Sequence, residues 1–260
     1  MNHLELFSGT HSFGKVSSKY GFNVVSLDRD LGEECPFDSG YVSKKHFKED
    51  ILTWNYKQYP RHHFVLVTAS PVCMWWSHLR KSWIGRKIKA HGDKIITHEI
   101  LDEDIEKFGI PMVDKVFEIL DYFNPKYFII ENPKNGRMKE YISDLIPYYD
   151  VDYCMYGFDY RKTTRFWTNI PSIDLNKCEH KKHNYALGHS SNMGLANKYK
   201  IPQQVIEKFV SNIPNLEFEK CNHKKHKITI GRKNHTGRGG LLGNYKIPEQ
   251  IIEKLISTIC

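Results

Sequence analysis

The sequence predicts an α/β protein built on a doubly wound parallel sheet, and three observations lead there. Short apolar runs with strand character recur at His3–Phe7, Asn23–Leu27, Phe64–Thr68 and Tyr127–Ile130. Helical patterning separates several of them, the rhythm of parallel strands joined by crossover helices. Each run also gives way at its carboxyl end to a turn rich in Gly, Ser, Asp, Cys or Glu, where parallel sheets place their ligands.

The elements follow in order. His3–Phe7 opens into Ser8-Gly9-Thr10-His11-Ser12-Phe13-Gly14, and a helix pattern then runs to about Tyr20, where Gly21-Phe22 ends it. Asn23–Leu27 is the second strand, with Asp28 and Asp30 just past it. Phe64–Thr68 is the third, followed at once by Ala69-Ser70-Pro71-Val72-Cys73. A long helix is predicted over Glu103–Phe123, interrupted near Gly109-Ile110-Pro111. Tyr127–Ile130 ends in Glu131-Asn132-Pro133, and Tyr153–Asn169 holds an edge strand with Arg161, Lys162 and Arg165.

A chain of 260 residues can bury a substantial core, and 14 Phe, 15 Tyr and 5 Trp argue against disorder as a whole. No apolar run approaches the roughly 18 residues of a membrane span. The start, MNHLELFSG, has no charged stretch leading into an apolar one, so export is not expected. Six scattered cysteines do not form a secreted disulfide framework and point to a reducing, intracellular setting. A monomer without membrane contact is the expectation.

The net charge of +8 is unevenly spread. Residues 176–260 hold 15 Lys and Arg against 6 acids, a net +9, so residues 1–175 are close to neutral. The basic end reads either as a solvated lysine-rich surface or as a module for a polyanionic partner. It is also duplicated. NKCEHKKHNYALG at 176–188 returns as EKCNHKKHKITIG at 219–231, and YKIPQQVIEKFVSNI at 199–213 returns as YKIPEQIIEKLISTI at 245–259. Each unit ends in a short amphipathic helix with Pro near its start. The expected division is a catalytic and cofactor-binding domain over 1–165 and a recognition region over 166–260, with copies at 176–213 and 219–259.

Several turns carry chemistry. Gly9 and Gly14 between a strand and a helix set backbone N–H groups and a helix N-terminus beside a ligand, or else form a plain packing corner. Asp28, 19 residues past Gly9, stands where ribose hydroxyls would be bound. The lysine–serine pair of a nucleoside triphosphate loop is absent. Cys73 follows a strand directly, as a nucleophile or as a buried structural thiol. Trp75, Trp76, Arg80, Lys81, Trp83, Arg86, Lys87 and Lys89 then mix stacking and phosphate-binding groups. Glu131 on the sheet rim serves as a proton donor or substrate contact, or as a helix cap.

Taken jointly, these residues resemble the cytosine-5 DNA methyltransferases, in particular the short forms of phages and large DNA viruses. The likeness begins at Leu6-Phe7-Ser8-Gly9 and continues to Gly14. Asp28 falls at the family's ribose ligand, and Asp50-Ile51 at the pair whose Asp contacts adenine. Ser70-Pro71-Val72-Cys73 resembles the nucleophile motif, Glu131-Asn132-Pro133 the base-binding motif, and Arg161 with Arg165 the later pair of arginines. Gly243-Asn244-Tyr245-Lys246-Ile247-Pro248 resembles the closing motif beside the cofactor. Thr10-His11, Val72 and Tyr160 depart from the pattern.

The resemblance implies a Rossmann-like methyltransferase fold using S-adenosyl-L-methionine, held by Phe7, Gly9, Gly14, Asp28, Asp50 and Asn244. It implies Cys73 as nucleophile, Glu131 as the contact to the ring nitrogen and exocyclic amine, and Arg165 at the base carbonyl. The partner would be double-stranded DNA with a flipped cytosine, and the location cytoplasmic, or nuclear for a virus of eukaryotes. The Trp75–Lys89 stretch would be a loop that closes over the base. Nothing in the sequence specifies the target site or a restriction endonuclease partner. Competing readings are a non-enzymatic DNA-binding protein of the same fold, which the altered Pro-Val-Cys and Thr-His positions favour, and an RNA-directed enzyme.

Two questions attach to the repeat. Cys178, His180 and His183, like Cys221, His223 and His226, suit zinc by type but leave a four-ligand site one short. The intercalated lysines suit phosphate, so basic DNA-facing loops are the preferred reading and no metal is assigned. One terminal helix is expected to dock beside the cofactor sheet. The second copy is favoured, because it keeps Gly243-Asn244.

Overall fold

The computed structural model describes residues 1–30, 43–158, 160–180 and 200–213. Seven strands form one sheet: β1 (Asn2–Leu6), β2 (Asn23–Leu27), β3 (Lys45–Phe47), β4 (Leu66–Ala69), β5 (Tyr127–Pro133), β6 (Tyr148–Asp152) and β7 (Thr163–Thr168). Their order is β3-β2-β1-β4-β5-β7-β6. The first five are parallel, and β7 runs antiparallel to both β5 and β6. The order reverses between β1 and β4, the switch point at which open α/β sheets bind ligands. Insertion of an antiparallel β7 between β5 and β6 gives the expected methyltransferase variant of the doubly wound sheet. It also corrects the edge-strand expectation, since β7 lies inside the sheet and β6 takes the edge.

Alternation along the strands divides the core between two faces. Leu4, Leu6, Val67, Ala69, Phe128 and Ile130 face one side, beneath α3 (Ile110–Phe123). That helix buries Val113, Val116, Phe117, Leu120 and Phe123 at helical spacing. Leu66, Ile129 and Phe166 face the other side, beneath α1 (Ser12–Lys19), which contributes Phe13 and Val16. His3 is fully buried between the layers, bonded to Ser17 Oγ at 2.7 Å and Thr68 Oγ1 at 2.8 Å. Burial lowers its pKa to about 4, so it joins β1, α1 and β4 as a neutral ring.

The interruption predicted near Gly109 is present. α2 (His98–Asp104) passes through a π-helical turn at Ile105–Gly109 into α3, which has Pro111 in its first turn. A Cβ on Gly109 would lie 3.0 Å from two ring carbons of the buried Trp76, so this crossing requires glycine. A short α4 (Met138–Tyr141) follows β5.

The last described helix, α5 (Gln203–Ser211), belongs to the first copy of the repeat. Val205, Ile206, Phe209 and Val210 are buried in the α1 face, and Phe209 lies 5.0 Å from Phe166, centroid to centroid. Ile201 N–H donates to Ser12 Oγ at 3.3 Å. This corrects the expectation that the first copy is given over to recognition: its helix is seated on the sheet beside the glycine turn. The second copy, with Cys221, His223, His226 and Asn244, lies outside the described residues. Among the described residues no helix is long and apolar enough to cross a membrane.

Candidate active site

The carboxyl ends of the parallel strands line up as one edge, so strand order fixes the order of the side chains along it. Asp50 follows β3, Asp28 follows β2, Phe7–Gly9 follows β1, Cys73 follows β4, and Glu131 lies near the end of β5.

The turn after β1 is wound through three left-handed residues, Phe7 (φ 55), Gly9 (φ 49) and His11 (φ 53). Two of the three are not glycine, a concentration of backbone strain of the kind found at ligand sites. It is held from below. Buried Glu5 accepts the Gly14 N–H at 2.9 Å and lies 3.3 Å from His11 Nδ1 and 3.4 Å from Ser26 Oγ. Asp28 accepts the Gly9 N–H on one oxygen and the Asp30 N–H on the other, both at 2.9 Å. Ser8 Oγ is buried in the turn without a hydrogen-bond partner among the described residues. A buried hydroxyl left unsatisfied at a switch point, between strained backbone and a half-exposed carboxylate, suits a polar ligand such as a nucleoside. Asp50 caps its own turn through the Leu52 N–H at 2.9 Å and stands 3.8 Å from Arg29.

Across the switch point, Ser70 N–H donates to Leu6 O at 3.3 Å, which ties the Cys73 loop to β1. Asn132 Nδ2 donates to Pro71 O at 2.9 Å, which ties the same loop to β5 next to Glu131. Cys73 is half-buried. Burial pushes its thiol up, Lys162 draws it down and Glu131 raises it. Glu131 is 7% exposed, and its carboxyl is pushed up by burial against the pull of Lys162 and a hydrogen bond from Ser70. Its Oε1 has no hydrogen-bond partner among the described residues and lies 3.9 Å from Lys162 Nζ. A carboxyl held above its usual range, on the strand next to the one that leads into Cys73, can hold a proton for a substrate nitrogen.

Arg165 is not in this group. Its Nε and Nη2 grip Asp150 at 2.8 and 3.0 Å, and its guanidinium lies 3.6 Å from the centre of the Tyr148 ring. The reason is register. Glu131 is opposite Phe166 and Asn132 is opposite Arg165, so Arg165 projects from the face opposite to Glu131. Lys162 continues the alternate set that includes Thr164 and Phe166, and it reaches Glu131 over the Tyr153 ring. Arg161 is more exposed and stands 3.6 Å from Asp152. The sequence reading names Lys162 only alongside Arg161 and Arg165, and the signal that singles it out lies in strand parity, which cannot be used until the partner strand is known.

No protein-family model matches the chain. A curated protein of Frog virus 3 (isolate Goorha), named "Probable DNA (cytosine-5)-methyltransferase", is 39% identical over 185 residues, 70% of this chain and 77% of its own length. The chain belongs to the cytosine-5 DNA methyltransferase family. Among solved structures, a prophage-encoded protein (E. coli) described as a DNA modification methyltransferase aligns at 16% identity and a TM-score of 0.40, over 65% of this chain and 46% of its own. The Dnmt2 methyltransferase of S. pombe aligns at 15% identity and a TM-score of 0.39, over 72% and 51%. The chain thus spans about half the length of these two structures.

One departure from the methyltransferase pattern has a structural reason. His11 replaces a small residue of the family's cofactor turn, and its ring is fully buried against Glu5 and 5.5 Å from the His46 ring. It therefore buttresses the turn from within. The stretch after Cys73 is also more anchored than a closing loop. Trp76 is buried, Trp75 stacks on Phe108 at 4.6 Å, and Arg80 is clamped between the Trp75 and Trp83 rings and paired with Asp104. Two of the aromatics and one cation expected to meet DNA thus belong to the methyltransferase core. Lys81, Arg86, Lys87 and Lys89 remain exposed.

Proposed function

We propose that the chain transfers a methyl group to carbon 5 of cytosine in DNA through a covalent Cys73 adduct. The observation that carries this is the meeting of Cys73, Glu131 and Lys162 at the switch point, one strand from the Gly9–Asp28 turn. S-adenosyl-L-methionine would be held by Phe7, Ser8, Gly9 and Gly14, with Asp28 at its ribose and Asp50 near its adenine. When bound, it supplies an electrophilic methyl group. Residues 1–165 carry the chemistry in this reading, and the basic region from 166 on contributes to DNA binding.

The residues act as follows. Cytosine must leave the duplex to expose carbons 5 and 6. Lys162 favours the Cys73 thiolate, whose sulfur bonds carbon 6. Glu131, whose carboxyl burial holds above its usual range, gives a proton to ring nitrogen 3, so electron density moves to carbon 5 instead of accumulating as ring charge. After carbon 5 is methylated, its proton leaves to solvent. The carbon–sulfur bond then breaks, and the proton on nitrogen 3 returns to Glu131. Lys162, in place of Arg165, is the cation beside the base, and Arg165 serves by fixing β6 to β7.

The test is transfer of label from S-adenosylmethionine to mixed-sequence duplex DNA by the wild type and by Cys73→Ser. Incorporation at cytosine that is lost in the variant is expected. Equal incorporation by the variant refutes the covalent mechanism. Transfer to RNA alone, or none to any polymer, favours the competing readings.

A further inference from the structure

A second cluster of reactive side chains lies outside the proposed site. Cys154, in the turn after β6, meets Cys178 and His180, which lie beyond β7 at the start of the first repeat. One ligand atom from each falls within 4.8 Å of the other two, and Cys178 Sγ is 3.4 Å from His180 Nδ1. Zinc bonds of about 2.3 Å to sulfur and about 2.0–2.1 Å to nitrogen, in tetrahedral geometry, place sulfur and nitrogen about 3.6 Å apart and two sulfurs about 3.8 Å apart. The set contains thiols and an imidazole and no carboxylate, the ligand class that selects zinc over calcium or magnesium.

The two segments are also joined by protein contacts alone. Asn176 N–H donates to Tyr156 Oη at 2.8 Å, and Cys178 N–H donates to Asp152 Oδ2 at 3.4 Å. The ligands are therefore brought together by the fold, and a metal would find them in place.

We propose that Cys154, Cys178 and His180 bind a zinc ion that fastens the start of the basic repeat to the turn after β6. The three ligands among the described residues leave one position of a tetrahedral site open. This revises the reading of the Cys-x-His-x-x-His pattern, because the second thiol comes from outside the repeat. Positions 197 and 200, which stand to Cys221 as Cys154 stands to Cys178 under the two repeat offsets, are Asn and Lys. The second copy thus has no equivalent cysteine, and the two copies are chemically unequal.

The experiment measures zinc per chain in full-length protein purified without chelator, for wild type, Cys154→Ser and His180→Ala. Both variants are expected to lose about one equivalent of zinc relative to wild type. With cobalt(II), wild type should show a near-ultraviolet thiolate-to-metal band that Cys154→Ser weakens. His180 is exposed, so its variant tests the site even if Cys154→Ser fails to fold. The proposal is overturned by a wild type with no stoichiometric zinc, or by folded variants that retain the wild-type content. An intact mass lower by two hydrogens, reporting a Cys154–Cys178 disulfide, also overturns it. Metal content is read without methyl transfer, so failure here is distinct from failure of the proposed activity.

Discussion

Asp104→Asn removes one charge from a buried pair and leaves its shape. The Arg80 and Asp104 side chains are 4% and 11% exposed, and His91 Nε2 lies 2.8 Å from the same Asp104 oxygen. Arg80 Nε and Nη1 have no hydrogen-bond partner among the described residues, where the guanidinium depends on Asp104 and on its two tryptophan faces. Breaking a buried pair on one side strands the other charge, at a cost of about 3–5 kcal/mol. For a chain of this size, 1 kcal/mol moves the melting temperature by about 2–4 °C, so Asp104→Asn should melt roughly 6–20 °C lower. Arg80→Met with Asp104→Leu strands neither charge and should recover most of that loss, since apolar pairs of similar volume often replace buried ion pairs without penalty. Circular dichroism melts and urea titrations of wild type, Asp104→Asn, the singles Arg80→Met and Asp104→Leu, and their double variant measure this. A single variant within about 2 °C of wild type, or a double variant no better than the sum of the singles, refutes the reasoning. The clamp also holds the segment that follows Cys73, so Asp104→Asn should slow methyl transfer well below its melting temperature.

Two further outcomes follow from the electrostatics around Cys73. Lys162→Met removes the cation that draws the thiol down, so the alkaline-rising limb of kcat/KM should move to higher pH. Thiolate at a fixed lower pH falls about tenfold for each pH unit of movement. Lys162→Arg should restore the wild-type profile, and an unmoved limb in Lys162→Met removes Lys162 from the mechanism. Glu131→Gln should abolish transfer while raising stability at neutral pH. The folded-state carboxyl is held above its usual range, so the unfolded chain gives up this proton first and wild-type stability falls as pH rises through that window. The difference in melting temperature should vanish in acid, below the carboxylate range, and grow toward neutrality. A wild type more stable than the variant at neutral pH contradicts this.

The parallel half of the sheet was legible because its strands are buried on both faces and stand out as apolar runs: Asn23–Leu27 matches β2 end for end. The turns were legible because chemistry concentrates at strand ends. β3 and β6 escaped notice because Lys45–Phe47 is three residues long and Tyr148–Asp152 has four residues that are only partly buried or exposed. The assignment of Arg165 failed for a different reason. Its residue type and approximate position fitted the resemblance, but strand pairing decides which face a residue takes, and pairing is a long-range property. Cys154 illustrates the same limit. Nothing near it in sequence suggests a ligand, and only β7 folding back between β5 and β6 brings Cys178 alongside.

The seat of α5 has a consequence for how the protein is made. The face formed by Phe13, Val16, Leu66, Ile129 and Phe166 is covered in part by α5, whose first buried side chain, Val205, comes nearly 40 residues after β7 ends at Thr168. At about 5–20 residues per second, synthesis needs roughly 2–9 s to pass from Thr168 to Ser211. During that interval a nascent chain with every strand of the described sheet already made still presents an aromatic-rich surface to its surroundings. Ribosome pausing between these points should therefore lower soluble yield more than pausing after Ile213, although no strand of the described sheet remains to be synthesised.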